Sequence, residues 1–305
     1  MTAGLRDYRN IVSDNRRWLG FRHRPGDVVV ATPPKCGTTW MQTIVATLLF
    51  PAGDIPAPVM MLAPWIEMRL LPIDVVLAGL EAQQHRRAVK THTPADGIPW
   101  FETASYIVVG RDGRDAFMSF VNHMANMRPD VIAALAASAI EEGIELTGEM
   151  PPSPDDIHAF FADWLAQGFL FEFIASYWAH RDESNVLFVH YNDLKVDLEG
   201  EMRQVADFLD IEIDEAQWPA VVERCTFESM RARADEIGPF AEVFQGGAES
   251  FLYKGTNDRW RDVLTANELA AYQQRAEEIL PAHARAWLAG TPRARRSGST
   301  GGRVG

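Results

Sequence analysis

One segment limits what this chain can fold into more than any other: Asp27-Val-Val-Val-Ala-Thr-Pro-Pro-Lys-Cys-Gly-Thr-Thr-Trp-Met-Gln-Thr-Ile-Val-Ala46. Val28, Val29 and Val30 form a short β-branched run suited to a strand buried on both faces. Pro33-Pro34 breaks it. From Trp40 onward, Met41, Ile44, Val45, Leu48 and Leu49 recur at helical spacing. The turn Gly37-Thr38-Thr39 therefore lies at a helix N-terminus, where unpaired amides and the helix dipole favour an anion. Lys35 adds a full positive charge, Cys36 sits between it and the glycine, and Thr38 and Thr39 add hydroxyl donors. This is a phosphate cradle. It is not a Walker A loop, which sets lysine directly after the second glycine; here lysine comes two residues before the only glycine.

Further apolar runs at Arg87–Lys90, Ser105–Gly110 and Asn185–Tyr191 alternate with helical patterns. Such alternation predicts a single-domain three-layer α/β fold with a central, mostly parallel sheet, of the nucleotide-binding P-loop kind. The spacing predicts one core-facing helix over Asp155–Arg181. It also predicts a capping box at Thr265–Glu268 opening a helix that runs to about Leu288, with a kink at Pro281. Residues 1–290 read as the domain, and the small, polar, basic tail 291–305 as disordered.

A net charge of −13 over 305 residues argues against nonspecific binding to nucleic acid or anionic lipid. It does not forbid an anionic cofactor, because screening over roughly 8 Å lets a local cluster of cations dominate one pocket. No window reaches the apolar length of a membrane span, and Met1–Asn10 lacks a signal-peptide layout, so a cytoplasmic location is expected. Cys36 and Cys225 fit neither a disulfide framework nor a metal site, and no His-Glu-x-x-His occurs. No metal ligands are assigned.

Three more constellations carry chemistry. Arg111 lies just past a strand, and Ser119 follows about two helical turns later. A planar guanidinium suits bidentate phosphate contact, although a turn pairing Arg111 and Arg114 with Asp112 and Asp115 would look the same. His92, in Val89-Lys-Thr-His-Thr-Pro94, sits at another strand end, where an imidazole could take a proton from an attacking hydroxyl. The remaining histidines, His123 among them, read as structural.

Pro34-Lys-Cys-Gly-Thr-Thr-Trp40 resembles the 5′-phosphosulfate loop, Pro-Lys-Ser/Ala-Gly-Thr-Thr-Trp, of sulfotransferases that use 3′-phosphoadenosine 5′-phosphosulfate (PAPS). Arg111 through Ser119 resembles the family's 3′-phosphate segment, and Lys90-Thr-His-Thr-Pro94 its Lys-Thr/Ser-His-Leu-Pro. The resemblance implies that His92 is the general base and that Lys90 approaches the transferring sulfuryl group. Tyr191 resembles a tyrosine that reaches adenine. Cys225-Thr-Phe-Glu-Ser-Met230 is similar to the adenine segment Thr-Ser-Phe-x-x-Met, implying roles for Thr226, Phe227 and Met230 with Phe227 opposite Trp40. Tyr253-Lys-Gly-Thr-Asn-Asp-Arg-Trp-Arg261 is similar to Arg-Lys-Gly-x-x-Gly-Asp-Trp-Lys. Lys254 and Gly255 keep register, but tyrosine replaces the arginine and Asp258 the second glycine. That leaves the 3′-phosphate one charged contact short unless Arg259 or Arg261 takes the arginine's place.

The spacing from Gln83 to Gly97 resembles most the bacterial, actinomycete-type branch, some of whose members act on glycolipids. The implied reaction moves the sulfuryl group of PAPS to an alcohol, phenol or glycolipid hydroxyl and leaves 3′-phosphoadenosine 5′-phosphate (PAP). The expected partner is a small-molecule or lipid acceptor, with a homodimer left open. The alternatives are an ATP-dependent P-loop kinase and a catalytically silent nucleotide-binding protein.

Overall fold

The computed structural model describes residues 4–144 and 153–290, so the expected disordered tail lies outside the described residues. Four strands, β1 (Val28–Ala31), β2 (Ala88–Thr91), β3 (Ser105–Gly110) and β4 (Val186–His190), form one sheet in the order β2-β1-β3-β4. Every pairing is parallel, with Val28 opposite Ala88 and Ser105, and Gly110 opposite His190.

The period-two geometry of a strand divides these residues between two cores. Val29, Val89, Tyr106, Val108 and Phe188 face one way, against Phe117, Phe161, Phe173 and Trp287. Val28, Val30, Ile107, Val109 and Val189 face the other, against Met41, Ile44, Val45 and Leu48 of helix α1 (Thr38–Leu49) and Met202 and Val205 beyond it. Burial on both faces explains why the strands read as continuous apolar runs rather than alternating ones.

The Asp155–Arg181 region is two helices, Ile157–Gln167 and Phe169–Trp178, not one. Gly168, at φ +62°, caps the first and opens the second, a left-handed turn that glycine adopts without steric penalty. Its aromatic residues are core, as the spacing predicts. The capping box at Thr265 and Glu268 is present, and Pro281 ends rather than kinks the last helical stretch, dividing it into Ala266–Ile279 and Ala282–Leu288.

β1 feeds β2 on one side while β3 and β4 extend the sheet on the other. The strand order therefore reverses beside β1, and ligands of open parallel sheets gather outside the carboxyl ends at such a point. All four carboxyl ends carry candidate residues: the Lys35 loop after β1, His92 after β2, Arg111 after β3 and Tyr191 after β4.

Candidate active site

The loop after β1 is held open by two left-handed residues, Lys35 at φ +67° and Gly37 at φ +100°. Gly37 has no substitute there, since a β-carbon would lie 2.9 Å from the Tyr191 ring. The first helical bond of α1 runs from the Met41 amide to the Gly37 carbonyl at 3.0 Å, which leaves the amides of the preceding turn without intrahelical partners. Thr38 and Thr39 are buried at that turn, and Thr38 Oγ1 lies 2.5 Å from Thr32 Oγ1.

Lys35, Lys90, Arg111 and His92 converge here, joined by His123, which the sequence pattern leaves as structural. Lys35 Nζ is 3.4 Å from His123 Nδ1 and 4.4 Å from the Phe251 ring centroid. Lys90 Nζ lies 4.6 Å above Trp65. Burial, then the positive charge of Lys90 and Arg111, brings Lys35 down to about 7; burial brings Lys90 to about 8 despite Glu67 nearby. His92 and His123 are both held well below the ordinary imidazole range, first by burial and then by the surrounding cations. The His92 Nδ1 lies 2.6 Å from the Thr32 carbonyl oxygen. A carbonyl only accepts, so this contact assigns the proton to Nδ1 and leaves Nε2 with a free lone pair. The Trp65 ring packs edge-on against the imidazole at 4.7 Å.

Arg111 is 5% exposed. It donates to the Lys35 carbonyl (3.2 Å), the Thr256 carbonyl (3.2 Å) and Asn257 Oδ1 (2.9 Å), lies 4.2 Å from the Tyr191 ring centroid, and leaves Nε without a partner. The turn pairing that the sequence allowed belongs to Arg114 alone, which binds Asp112 and stacks on Trp260 at 3.9 Å. Arg111 thus ties the phosphate loop to the Lys254-Gly255 loop. There Lys254 is exposed over Tyr253, Gly255 stands at φ +61° beside the Phe227 ring, and its carbonyl accepts from Lys195 at 2.8 Å. Asp258 takes φ +65°, a left-handed value that aspartate tolerates better than most residues, and its amide donates to Asp115. This is why it can stand where the motif has glycine.

Among the residues that the resemblance assigns to adenine, Trp40 packs edge-on to Tyr191 at 5.4 Å and donates to the Cys225 carbonyl at 2.8 Å. The Thr226 hydroxyl is engaged locally, donating to the Glu223 carbonyl and accepting from the Ser229 amide. Met230 is buried in a core cluster with Phe240 and Phe244, and Ser119 is half-buried on the Gly113–Asn126 helix. The Cys36 amide donates to the Pro33 carbonyl at 3.3 Å. Its side chain faces the core, and burial pushes the thiol up to about 12, although a helix start by itself favours thiolate.

A family model described as a sulfotransferase domain matches residues 25–288. The chain is 32% identical to a glycolipid sulfotransferase of Mycobacterium tuberculosis, over 92% of this chain and 93% of that protein. The chain belongs to the sulfotransferase family. Human sulfotransferase 1C2 is 26% identical over 85% of this chain and 83% of that one. A mouse sulfotransferase complexed with PAP shares the fold at a TM-score of 0.67, with 19% identity over 93% of this chain and 97% of that chain.

The sulfuryl donor of this family is PAPS. This sulfotransferase has features that fit such a donor: a helix start with open amides, two lysines depressed by burial, Lys35 also by Lys90 and Arg111, and a buried guanidinium with an orphaned Nε. Among the described residues no group of His, Cys, Asp or Glu could hold a metal ion, and no helix is long and apolar enough to cross a membrane. The residues that sequence reasoning missed left faint signals. His123 is one helical turn beyond Ser119. Glu67, fully buried and accepting from the Thr91 hydroxyl, is a lone acid amid Trp65, Ile66 and Met68.

Proposed function

We propose that this sulfotransferase acts on the hydroxyl of an apolar, lipid-like acceptor, with His92 as general base. The observation that carries this is the His92 imidazole: neutral by burial, its Nδ1 proton assigned to the Thr32 carbonyl, its Nε2 lone pair free, and its ring against Trp65. Phe120, Phe244 and Phe251 pack on the site's other imidazole, His123, surroundings that favour an apolar acceptor over a charged phenol. The glycolipid acceptor named for the mycobacterial relative agrees with this lining.

PAPS, when bound, supplies an electrophilic sulfur and a phosphate leaving group. Lys35 and the Gly37–Thr39 amides hold that phosphate and neutralise the charge it gains as the S–O bond to it breaks. Lys90 and Thr39 steady the sulfuryl oxygens. As the acceptor oxygen bonds to sulfur, His92 Nε2 takes its proton. Arg111, Ser119, Lys254 and Gly255 hold the 3′-phosphate, and Trp40, Tyr191, Thr226, Phe227 and Met230 enclose the adenine. The residues named all come from one chain, and the two free cysteines suit a reducing cytoplasm.

An acceptor panel with labelled PAPS tests this reading. Turnover should rise with acyl chain length across a series of glycolipids and long-chain alcohols. Equal or better turnover of short polar alcohols would overturn it.

A further inference from the structure

In the loop that follows the Gly247–Phe251 helix, two of the departures from the sulfotransferase motif are opposite in charge. The motif has arginine where this chain has Tyr253, and aspartate where it has Arg259. In the structure the two replacements meet: the Arg259 guanidinium lies 5.6 Å from the Tyr253 ring centroid. Its Nη2 donates to the Met118 carbonyl at 3.1 Å, one residue before Ser119. The neighbouring cations are already engaged, Arg261 with Asp258 at 2.8 Å and Arg114 with Asp112. Arg259 forms no ion pair among the described residues. Asp115, an acid whose charge acts on Arg259, accepts from the Asp258 amide at 2.7 Å. Burial and then Arg111 both work against the charge on Arg259, while Tyr253 and Asp115 support it, so two guanidiniums share one region with a carboxylate, Asp115, that forms an ion pair with neither among the described residues. Arg111 leaves its buried Nε unpartnered.

We propose that Arg259 is a 3′-phosphate ligand, supplying across the loop the charged contact that Tyr253 cannot give. Two planar guanidiniums, one from the end of β3 and one from the Arg259–Asp262 turn, then hold a single dianion. Tyr253 becomes the apolar platform on which the second one rests. This rests on the cofactor-site reading above.

The test is calorimetric titration with PAP and with adenosine 5′-monophosphate, which lacks the 3′-phosphate, so it needs no turnover. Arg259→Ala should weaken PAP binding roughly 10- to 100-fold and leave the 5′-monophosphate within about twofold of wild type. The loss should narrow as salt rises. The double variant Tyr253→Arg/Arg259→Asp, which restores the motif at both positions, should recover PAP affinity that Arg259→Asp alone loses. It also keeps the test open if the alanine variant does not fold. Wild-type PAP affinity in Arg259→Ala, equal loss of both nucleotides, or no recovery in the double variant would overturn the inference alone. A wild-type protein that does not prefer PAP, or an Arg111→Ala variant that keeps the preference, would overturn the site assignment beneath it.

Discussion

The two ends of the sheet treat buried charge in opposite ways. At the amino end, Asp27 and Arg87 are almost fully enclosed and form a bidentate pair at 2.6 and 2.9 Å. Further bonds hold both partners: Arg87 also donates to the Arg22 carbonyl and to Glu81, and Asp27 accepts from the Arg24 amide. At the carboxyl end, Lys35, Lys90 and Arg111 form no ion pair among the described residues. Their partners are an imidazole, aromatic faces, carbonyls and an amide. A buried charge without an opposite partner is expensive to keep. A fold that neutralises one end and leaves the other cationic has a site whose missing partner is an anion, despite a net charge of −13.

That contrast predicts function lost at one end and stability at the other. His92→Ala should lower turnover by roughly 10²- to 10⁴-fold with PAP affinity within about twofold of wild type. Steady-state kinetics beside PAP titration checks it, and unchanged turnover would remove His92 from the chemistry. Asp27→Ala should destabilise the protein by about 3–5 kcal/mol, because it strands a buried guanidinium. Denaturant unfolding reads that loss, while PAP affinity of the folded fraction stays the same. Lys35→Met is the converse. PAP affinity should fall roughly 10- to 100-fold, with unfolding midpoints equal to or above wild type. A strongly destabilised Lys35→Met would mean that the carboxyl end is as self-sufficient as the amino end.

A pH series sharpens the same comparison. Lys35 and Lys90 sit at about 7 and about 8 in the folded protein, below the 10.5 of an ordinary lysine. Between those values and 10.5 the unfolded chain binds more protons than the folded one. The ligand-free protein should therefore gain stability as pH rises through that window. An anion in the site raises both lysines again, so PAP binding at pH 8 should take up protons, visible as a dependence of calorimetric enthalpy on the buffer's ionisation heat. Lys35→Met should reduce both effects, and an unaltered response would place the titration elsewhere.

How much of this was legible follows from how local each signal is. Val28–Val30, the Gly37 turn and the helix after it are adjacent in sequence, so their pattern alone fixes strand, loop and helix. The Thr265 capping box is likewise a four-residue signal. His123 and Arg259 were misplaced or left open because their roles arise across the fold. Lys35 and His123 are 88 residues apart, and Arg259 meets a carbonyl 141 residues away. The break at Gly168 falls inside the segment whose spacing predicts one helix, since glycine inside a helical pattern either persists or breaks it according to tertiary packing.

Cys36 shows where a local rule yields to burial. Its place before a helix N-terminus argues for a reactive thiolate. The side chain instead turns into the core, and desolvation outweighs the nearby Arg111, leaving the thiol at about 12, no more acidic than Cys225 at about 11. Both should therefore alkylate slowly, each through an opening of the structure rather than from the native state. The openings differ. Exposing Cys36 disrupts the phosphate loop itself, whereas Cys225 lies on the far side of Trp40, where its carbonyl holds the indole. PAP at about 100 times its dissociation constant stabilises the closed loop by about 2.7 kcal/mol, which corresponds to roughly 100-fold slower labelling of Cys36. Peptide mapping after iodoacetamide treatment should show protection greater at Cys36 than at Cys225. Equal protection would mean that both thiols are reached only by global unfolding, and rapid labelling of Cys36 without PAP would restore the thiolate that its position in the sequence suggests.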